Sequence, residues 1–314
     1  MRTALLAIAV AGTLALPAFL DGEQLGIYVL TGLAAMITVG LSLLMGQAGQ
    51  ISLGQASFYA IGGYTTGLLT VHGTPPLFGL LAAPVVAAAF ATVVGIGVLR
   101  LRGHYLAFAT LAMQLILLSV LAQSDWAGGA IGLQGIPRFS VGSFEFSDDI
   151  QYAYLTWVCL AVVLVVARNL VASRAGRGLR ALATSEVAAA ASGVPVGRYR
   201  LAVFALSAAF AGLAGGIYAC YLGYLGPASF PVLLSVEYVV MAVVGGLGTL
   251  AGGVVGAVVI TLLVQVLSDL GTRPGMPSYA PSVLSYAVYG LLLVLVVLFL
   301  PRGIVPALTR RERS

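Results

Sequence analysis

The charges of this chain are absent from long stretches. Between Glu23 and Arg100 there is no Asp, Glu, Lys or Arg, nor between Arg102 and Asp125, Asp149 and Arg168, or Arg273 and Arg302. Between Arg200 and Asp269 the only formal charge is Glu237. A bilayer core of about 30 Å takes about 20 apolar helical residues to cross, so each gap holds one to three crossings. In lipid the backbone satisfies its own hydrogen bonds, and short alternating barrel strands are not seen here, so the crossings are read as helices. Only 8% of residues are charged, against roughly 25% in a soluble domain, and 60% are hydrophobic. The net charge of +5 is therefore no sign of nucleic-acid binding.

The expectation is an all-α integral membrane protein, a single transmembrane domain over 1–314, with about ten helices. They lie near 4–20, 25–45, 51–71, 77–99, 104–122, 151–167, 201–223, 236–249, 251–268 and 284–300. The first run resembles a signal peptide, but no A-x-A site precedes Asp21 and more membrane follows, so it is read as an uncleaved helix. With the N-terminus in the cytoplasm, only Arg138 and Arg273 of the fifteen basic residues fall outside, as positive-inside orientation requires. Both termini are then cytoplasmic, with an outer loop at about 123–150 and a cytoplasmic loop at about 168–200. Every basic residue is Arg, so the lysine of a phosphate-binding P-loop is missing; any ATP must be bound by a partner. No cofactor and no metal site is expected. Cys159 and Cys220 lie in apolar runs and read as buried hydrophobes.

Two apolar stretches are poor helices: Gly46 to Tyr64, GQAGQISLGQASFYAIGGY, and Gly245 to Val259, GGLGTLAGGVVGAVV. Each interior glycine costs on the order of 1 kcal/mol relative to alanine, so such clusters suggest breaks or close backbone approach. Gly63/Gly67, Gly212/Gly216 and Gly252/Gly256 also suit plain helix packing. Gln47, Gln50, Ser52 and Gln55 place polar groups where lipid leaves them unsatisfied, which points to a polar pathway or to a structural network. If 25–122 and 201–300 are two halves of opposite orientation, the broken segments occupy corresponding places in an inverted repeat, a pointer to a transporter's substrate path. The pathway candidates are Gln47, Gln50, Ser52, Gln55, Tyr59, Gly245, Gly246 and Gly248.

The segment Arg168 to Arg200 reads RNLVASRAGRGLRALATSEVAAAASGVPVGRYR. Alanine-rich Leu179 to Ser192 predicts a short helix, capped by Gly193 and ended by Pro195. It fits either an arginine-rich element on anionic lipid or a docking helix, and its small alanine face favours docking.

These residues also carry a resemblance. GQAGQISLGQASFYAIGGY, Arg100 to Leu111 (RLRGHYLAFATL), Gly128 to Pro137 (GGAIGLQGIP), Glu186 to Arg200 (EVAAAASGVPVGRYR), GGLGTLAGGVVGA and Pro301 to Ile304 (PRGI) resemble the Liv-type permeases of branched-chain amino acid ABC importers. The 128–137 loop is similar to the M-type subunit in particular. The matches cover nearly the whole chain after the first span. The resemblance implies a bacterial plasma (inner) membrane permease, paired as a heterodimer with a second homologous permease subunit. Two cytoplasmic ATP-binding subunits and an extracytoplasmic solute-binding protein complete it. It implies a coupling helix at Glu186 to Gly193, with Arg180, Glu186, Ala188, Ala189 and Gly193 as the coupling residues. Ala183, Thr184 and Ser185 stand where that family usually carries a more charged run. Leucine, isoleucine and valine are the substrates implied; urea, short amides, other amino acids and aromatic acids stay open.

The rival reading is an ion-coupled secondary transporter, which needs an ionisable group deep in the membrane. Only Glu237 qualifies; near the outer end of its expected span it also reads as a helix-starting carboxylate. An intramembrane enzyme finds no support: His72 and His104 are far apart, and no G-x-S-x-G or H-E-x-x-H element is present.

Overall fold

A computed structural model of the chain describes residues 13, 16–101, 103–142, 144–271, 290–291 and 303–306. All but residues 290–291 of the expected tenth span and most of the first lie outside them, as do Arg273 and four of the expected cytoplasmic arginines near the C-terminus. The described chain is helical: α1 Gly22–Ala48, α2 Gln55–Val71, α3 Pro76–Val98, α4 His104–Gln123, α5 Asp149–Ala172, α6 Arg174–Thr184, α7 Glu186–Ala191, α8 Val196–Leu222, α9 Val232–Gly245 and α10 Leu250–Gly271. Seven helical stretches among the described residues are long and apolar enough to cross a membrane, which makes the chain a multi-pass membrane protein.

The helix ends follow local chemistry. Asp21 precedes α1, its N–H donating to Gln24 Oε1 at 3.4 Å, and Glu23 in the first turn suits the helix dipole. Asp148 and Gln151 repeat the arrangement at α5. Gly49 (φ 64°) and Gly223 (φ 68°) close α1 and α8 in the left-handed conformation that suits glycine.

α1 is the axis of the bundle. It is buried without interruption from Thr31 to Leu44, packed by α5, α8, α9 and α10. By contrast α3 and α5 bury narrow stripes, Ala83, Ala87 and Ala91 on one and Tyr152, Thr156, Leu160 and Val163 on the other. They turn Leu81, Val85, Val93, Val158, Val162 and Val165 outward, as lipid-facing helices do. α8 packs against both α2 and α3 through small residues. A Cβ at Gly62 would overlap the Gly212 backbone, one at Gly215 the Tyr59 carbonyl, and one at Gly212 would press on Ala83 and Ala87. Between helices in lipid, such close packing takes the place of the hydrophobic effect.

The 124–148 loop covers one end of the bundle. Leu133–Gln134 (β1) pairs antiparallel with Tyr224–Leu225 (β4), and Ser140–Val141 (β2) with Phe144–Glu145 (β3). Tyr152 Oη accepts from Phe139 N–H at 2.8 Å and donates to the Cys220 carbonyl at 2.9 Å, tying loop, α5 and α8 together. Gly132 (φ 92°) lies so close to Leu225 that a side chain there would overlap its carbonyl.

At the other, arginine-rich end, the single helix expected over 179–192 is two helices. Ser185 interrupts it: its backbone is extended (φ −157°, ψ 116°), and its Oγ accepts from Ala188 N–H at 3.3 Å as the N-cap of α7. Ser173 caps α6 the same way through Gly176 N–H. Gly193 ends α7 as expected, at φ 79°, with Gly193 N–H donating to Ala190 and Val194 N–H to Ala189. Since α5 runs to Ala172 and α8 starts at Val196, Arg168, Arg198 and Arg200 sit on long helices rather than in the loop.

Candidate functional site

The two glycine-rich stretches are breaks between helices, and they meet. The first runs from Gly49 to Gly54 between α1 and α2, the second from Gly246 to Thr249 between α9 and α10. Gly248 N–H donates to Ser42 Oγ (3.1 Å), Ser42 Oγ donates to the Thr249 carbonyl (3.2 Å), and Gln47 Nε2 donates to the Gly248 carbonyl (2.9 Å). Gly246 (φ 118°) and Gly248 (φ 77°) have backbones that disfavour side chains, and a Cβ at Gly46 would overlap Gly248. Gly245 instead ends α9 against the Gly252 carbonyl of α10. For these three glycines the geometry gives a structural reason.

The polar residues of the first break are buried: Gln47, Gln50, Ser52 and Gln55. Gln55 Nε2 donates to Ser207 Oγ of α8 at 3.0 Å, and Leu53 N–H to Thr110 Oγ1 of α4 at 2.9 Å. Ser52 Oγ accepts from Gly54 N–H at 3.4 Å. Ser235 on α9 accepts from Ala56 N–H (2.9 Å) and donates to Gln114 Oε1 (2.6 Å). Breaking a helix inside the bundle frees N–H groups, and hydroxyls from α4 and α9 take them up. Both polar atoms of Gln50, and Oε1 of Gln47 and of Gln55, are buried without a protein partner. The break is thus a buried polar cluster, part of it satisfied as a hydrogen-bonded network and part, at Gln47, Gln50 and Gln55, left without a partner among the described residues.

Ser42, Thr110, Gln114, Ser207, Ser235 and Thr249 belong to this site and were not singled out from sequence. Their only signal was to be polar inside apolar runs. Replacing Ser235 by Ala strands the Ala56 N–H and Gln114 Oε1 together. The expected cost is about 1–3 kcal/mol, seen as a lower thermal midpoint in detergent; Ser235→Thr, which keeps the hydroxyl, should restore much of it.

Tyr59 stands one turn into α2, 4% exposed, with ring centroids 5.1 Å from Tyr218, 5.3 Å from Phe230 and 6.5 Å from Tyr238. The three tyrosines, Tyr59, Tyr218 and Tyr238, border a cavity of about 240 Å³ that Glu237 also lines. Glu237 is the sixth residue of α9, beyond the first turn, so the helix-dipole account of a helix-starting carboxylate fails. The cavity's other walls include Leu30, Leu33 and Ala34, near the middle of α1, so Glu237 is deeper than its place in the sequence suggested.

The coupling candidates divide. Ala188 and Gly193 are exposed, as is Val187 at 80%, a residue the sequence reading left out. Ala189 is 1% exposed and faces the chain itself. Glu186 receives two bonds from Arg200, Nη1 to Oε1 and Nη2 to Oε2, each 3.1 Å, which pins the start of α7 to the first turns of α8. Arg180 donates to the Val171 carbonyl at 3.0 Å, tying α6 to the end of α5.

A multi-pass helical bundle with two contacting helix breaks, buried amides at the first of them and a tethered two-helix element at one end is an architecture that suits a membrane permease, and the comparisons with known proteins show that class. The chain belongs to the family described as branched-chain amino acid transport system / permease component, whose profile matches residues 24–297. It is 30% identical to the high-affinity branched-chain amino acid transport system permease protein LivM of Salmonella typhimurium, over 96% of this chain and 74% of that one. Identity and coverage are the same for LivM of Escherichia coli K12. The ribose import permease protein RbsC of E. coli K12 is 28% identical over 85% of this chain and 84% of its own. No solved structure matches.

Proposed function

We propose that the chain is the M-type permease subunit of an ATP-driven ABC importer of the bacterial plasma membrane, moving branched-chain amino acids or a related small polar solute inward by alternating access. The family membership carries this reading, and the substrate follows the two LivM relatives at 30% identity. In this reading the arginine-rich end is cytoplasmic and the 124–148 loop faces outward. A second permease of the same family completes the pore, two ATP-binding subunits supply the energy, and a solute-binding protein delivers substrate to the outer loops. α7 docks on an ATP-binding subunit, and its capped and salt-bridged ends pass that subunit's closure into α5 and α8. The facing breaks line or shape the path.

Labelled leucine uptake into vesicles holding all five components tests it. Uptake that requires both ATP and binding protein is expected. Uptake by this chain alone on a proton or sodium gradient would overturn the reading, and stimulated ATP hydrolysis without leucine uptake would replace the substrate only. In the same assay Glu186→Arg, which sets two guanidinium groups against each other, is expected to lower uptake by about tenfold or more.

A further inference from the structure

Glu237 is a carboxylate within the helical bundle that the importer reading leaves unused. It is half-buried, and among the described residues it has no ion-pair or hydrogen-bond partner; a carboxylate partly removed from water gains from a cationic or hydrogen-bonding group that meets it. No arginine lines its cavity. The walls are instead three tyrosines, Tyr59, Tyr218 and Tyr238, and the apolar side chains of α1 and α9, including Leu33 and Met241. Tyrosine ring faces attract cations, and more strongly when water is excluded. The four helices that flank the two breaks, α1, α2, α9 and α10, all contribute, with α8 adding Tyr218. A second cavity of about 200 Å³ shares Leu30, Glu237, Met241 and Thr261 with the first and extends to Gln265 on α10. Glu237 therefore lines both cavities, with Thr261 and Gln265 as the other polar side chains of the second.

We propose that Glu237, with Tyr59, Tyr218 and Tyr238, forms a transient binding subsite for the ammonium group of an amine-bearing small solute, whose aliphatic part lies against Leu33 and Met241. A neutral sugar gains nothing from this carboxylate, and a solute carrying only a carboxylate is repelled by it, so the subsite selects amines and amino acids. It rests on the reading of the chain as a solute permease and adds the class of group recognised. A permease subsite must also release its solute, and a single carboxylate without a second charge holds an amine more weakly than a fully paired site would.

The test separates the subsite from transport. The full chain, labelled with 3-fluorotyrosine in lipid nanodiscs, is titrated with isopentylammonium chloride, sodium 4-methylpentanoate or isopentanol. The fluorine signals of Tyr59, Tyr218 and Tyr238 are assigned through single Tyr→Phe variants. Saturable shifts with the amine alone are expected, and Glu237→Gln should weaken that response by about tenfold or more. An unchanged thermal midpoint for the near-isosteric Gln variant, and partial recovery in Glu237→Asp, separate a binding loss from misfolding. No saturable shift, equal shifts with the sodium carboxylate or the alcohol, or an unaltered response in Glu237→Gln would each overturn the subsite. Amine binding together with absence of both ATP-dependent uptake and binding-protein-stimulated ATP hydrolysis in the five-component vesicles would keep the subsite and discard the importer. Leucine uptake at the wild-type rate by Glu237→Gln would keep the importer and discard the subsite.

Discussion

Gly62→Val is expected to abolish the stable bundle. Gly62 on α2 sits against the backbone of Gly212 on α8, and a Cβ there would overlap the Gly212 Cα, carbonyl carbon and oxygen together. Backbone cannot step aside as a flexible side-chain end can, so the two helices must separate. Their separation also pulls Gly215 away from the Tyr59 carbonyl and loosens the α3 contact at Ala83 and Ala87 on the other face of α8. In lipid no gain in apolar burial offsets this, because the tails are as apolar as the lost contact. Overpacking at an ordinary core site costs about 1–3 kcal/mol, and here, with three close contacts at once, about 3 kcal/mol or more is expected. Fluorescence-detected size exclusion after graded heating measures it, with Gly97→Val as the comparison. Gly97 lies on the exposed side of α3 with nothing within 4 Å of its Cβ position, so that variant should behave as the parent. Equal behaviour of the two variants would show that the α2–α8 contact is not required.

Val187→Arg is expected to uncouple transport while leaving the chain intact. On α7 the exposed residues Val187, Ala188, Ala190 and Ala191 form a small apolar surface that nothing in this chain covers among the described residues, whereas Ala189 points inward. A charged, long side chain at the centre of an apolar docking contact must be desolvated or must push the partner away. In the assembled transporter, ATP-driven uptake should fall by about tenfold or more, and ATP hydrolysis should no longer respond to binding protein. The thermal midpoint of the purified chain should not move, because Val187 is 80% exposed. Ala189→Arg should do the opposite and destabilise the chain itself. Normal uptake in Val187→Arg would place the docking surface elsewhere.

Much of the architecture was legible because its causes are local. The cost of placing a charge in lipid acts residue by residue, so the charge-free runs predicted α1 to α5 and α8 to α10 to within a few residues at most ends. Gly193 announced its cap because φ 79° suits glycine, and the glycine clusters announced breaks because helix propensity is local as well. Ser185 was a local signal too, but the alanine-rich segment around it read as one helix, and only its hydroxyl, capping α7, marks the break.

The site itself was decided by tertiary structure. That Gly46 meets Gly248, that Ser235 bridges Ala56 and Gln114, and that Gln55 reaches Ser207 are contacts between residues far apart along the chain. Nor could the sequence show that Ala189 turns inward beside an exposed Ala188, or that Glu237 lies level with the middle of α1. In a soluble helix the polar face would have told inside from outside. In a membrane bundle the lipid face and the packing face are both apolar, so periodicity does not say which way a residue points. The amino-acid sequence settled that this is an all-α, multi-pass membrane protein and where most of its helices end. Only their packing settled which polar groups found partners, that Gln50 was buried without one, and that the half-buried Glu237 came to line a cavity.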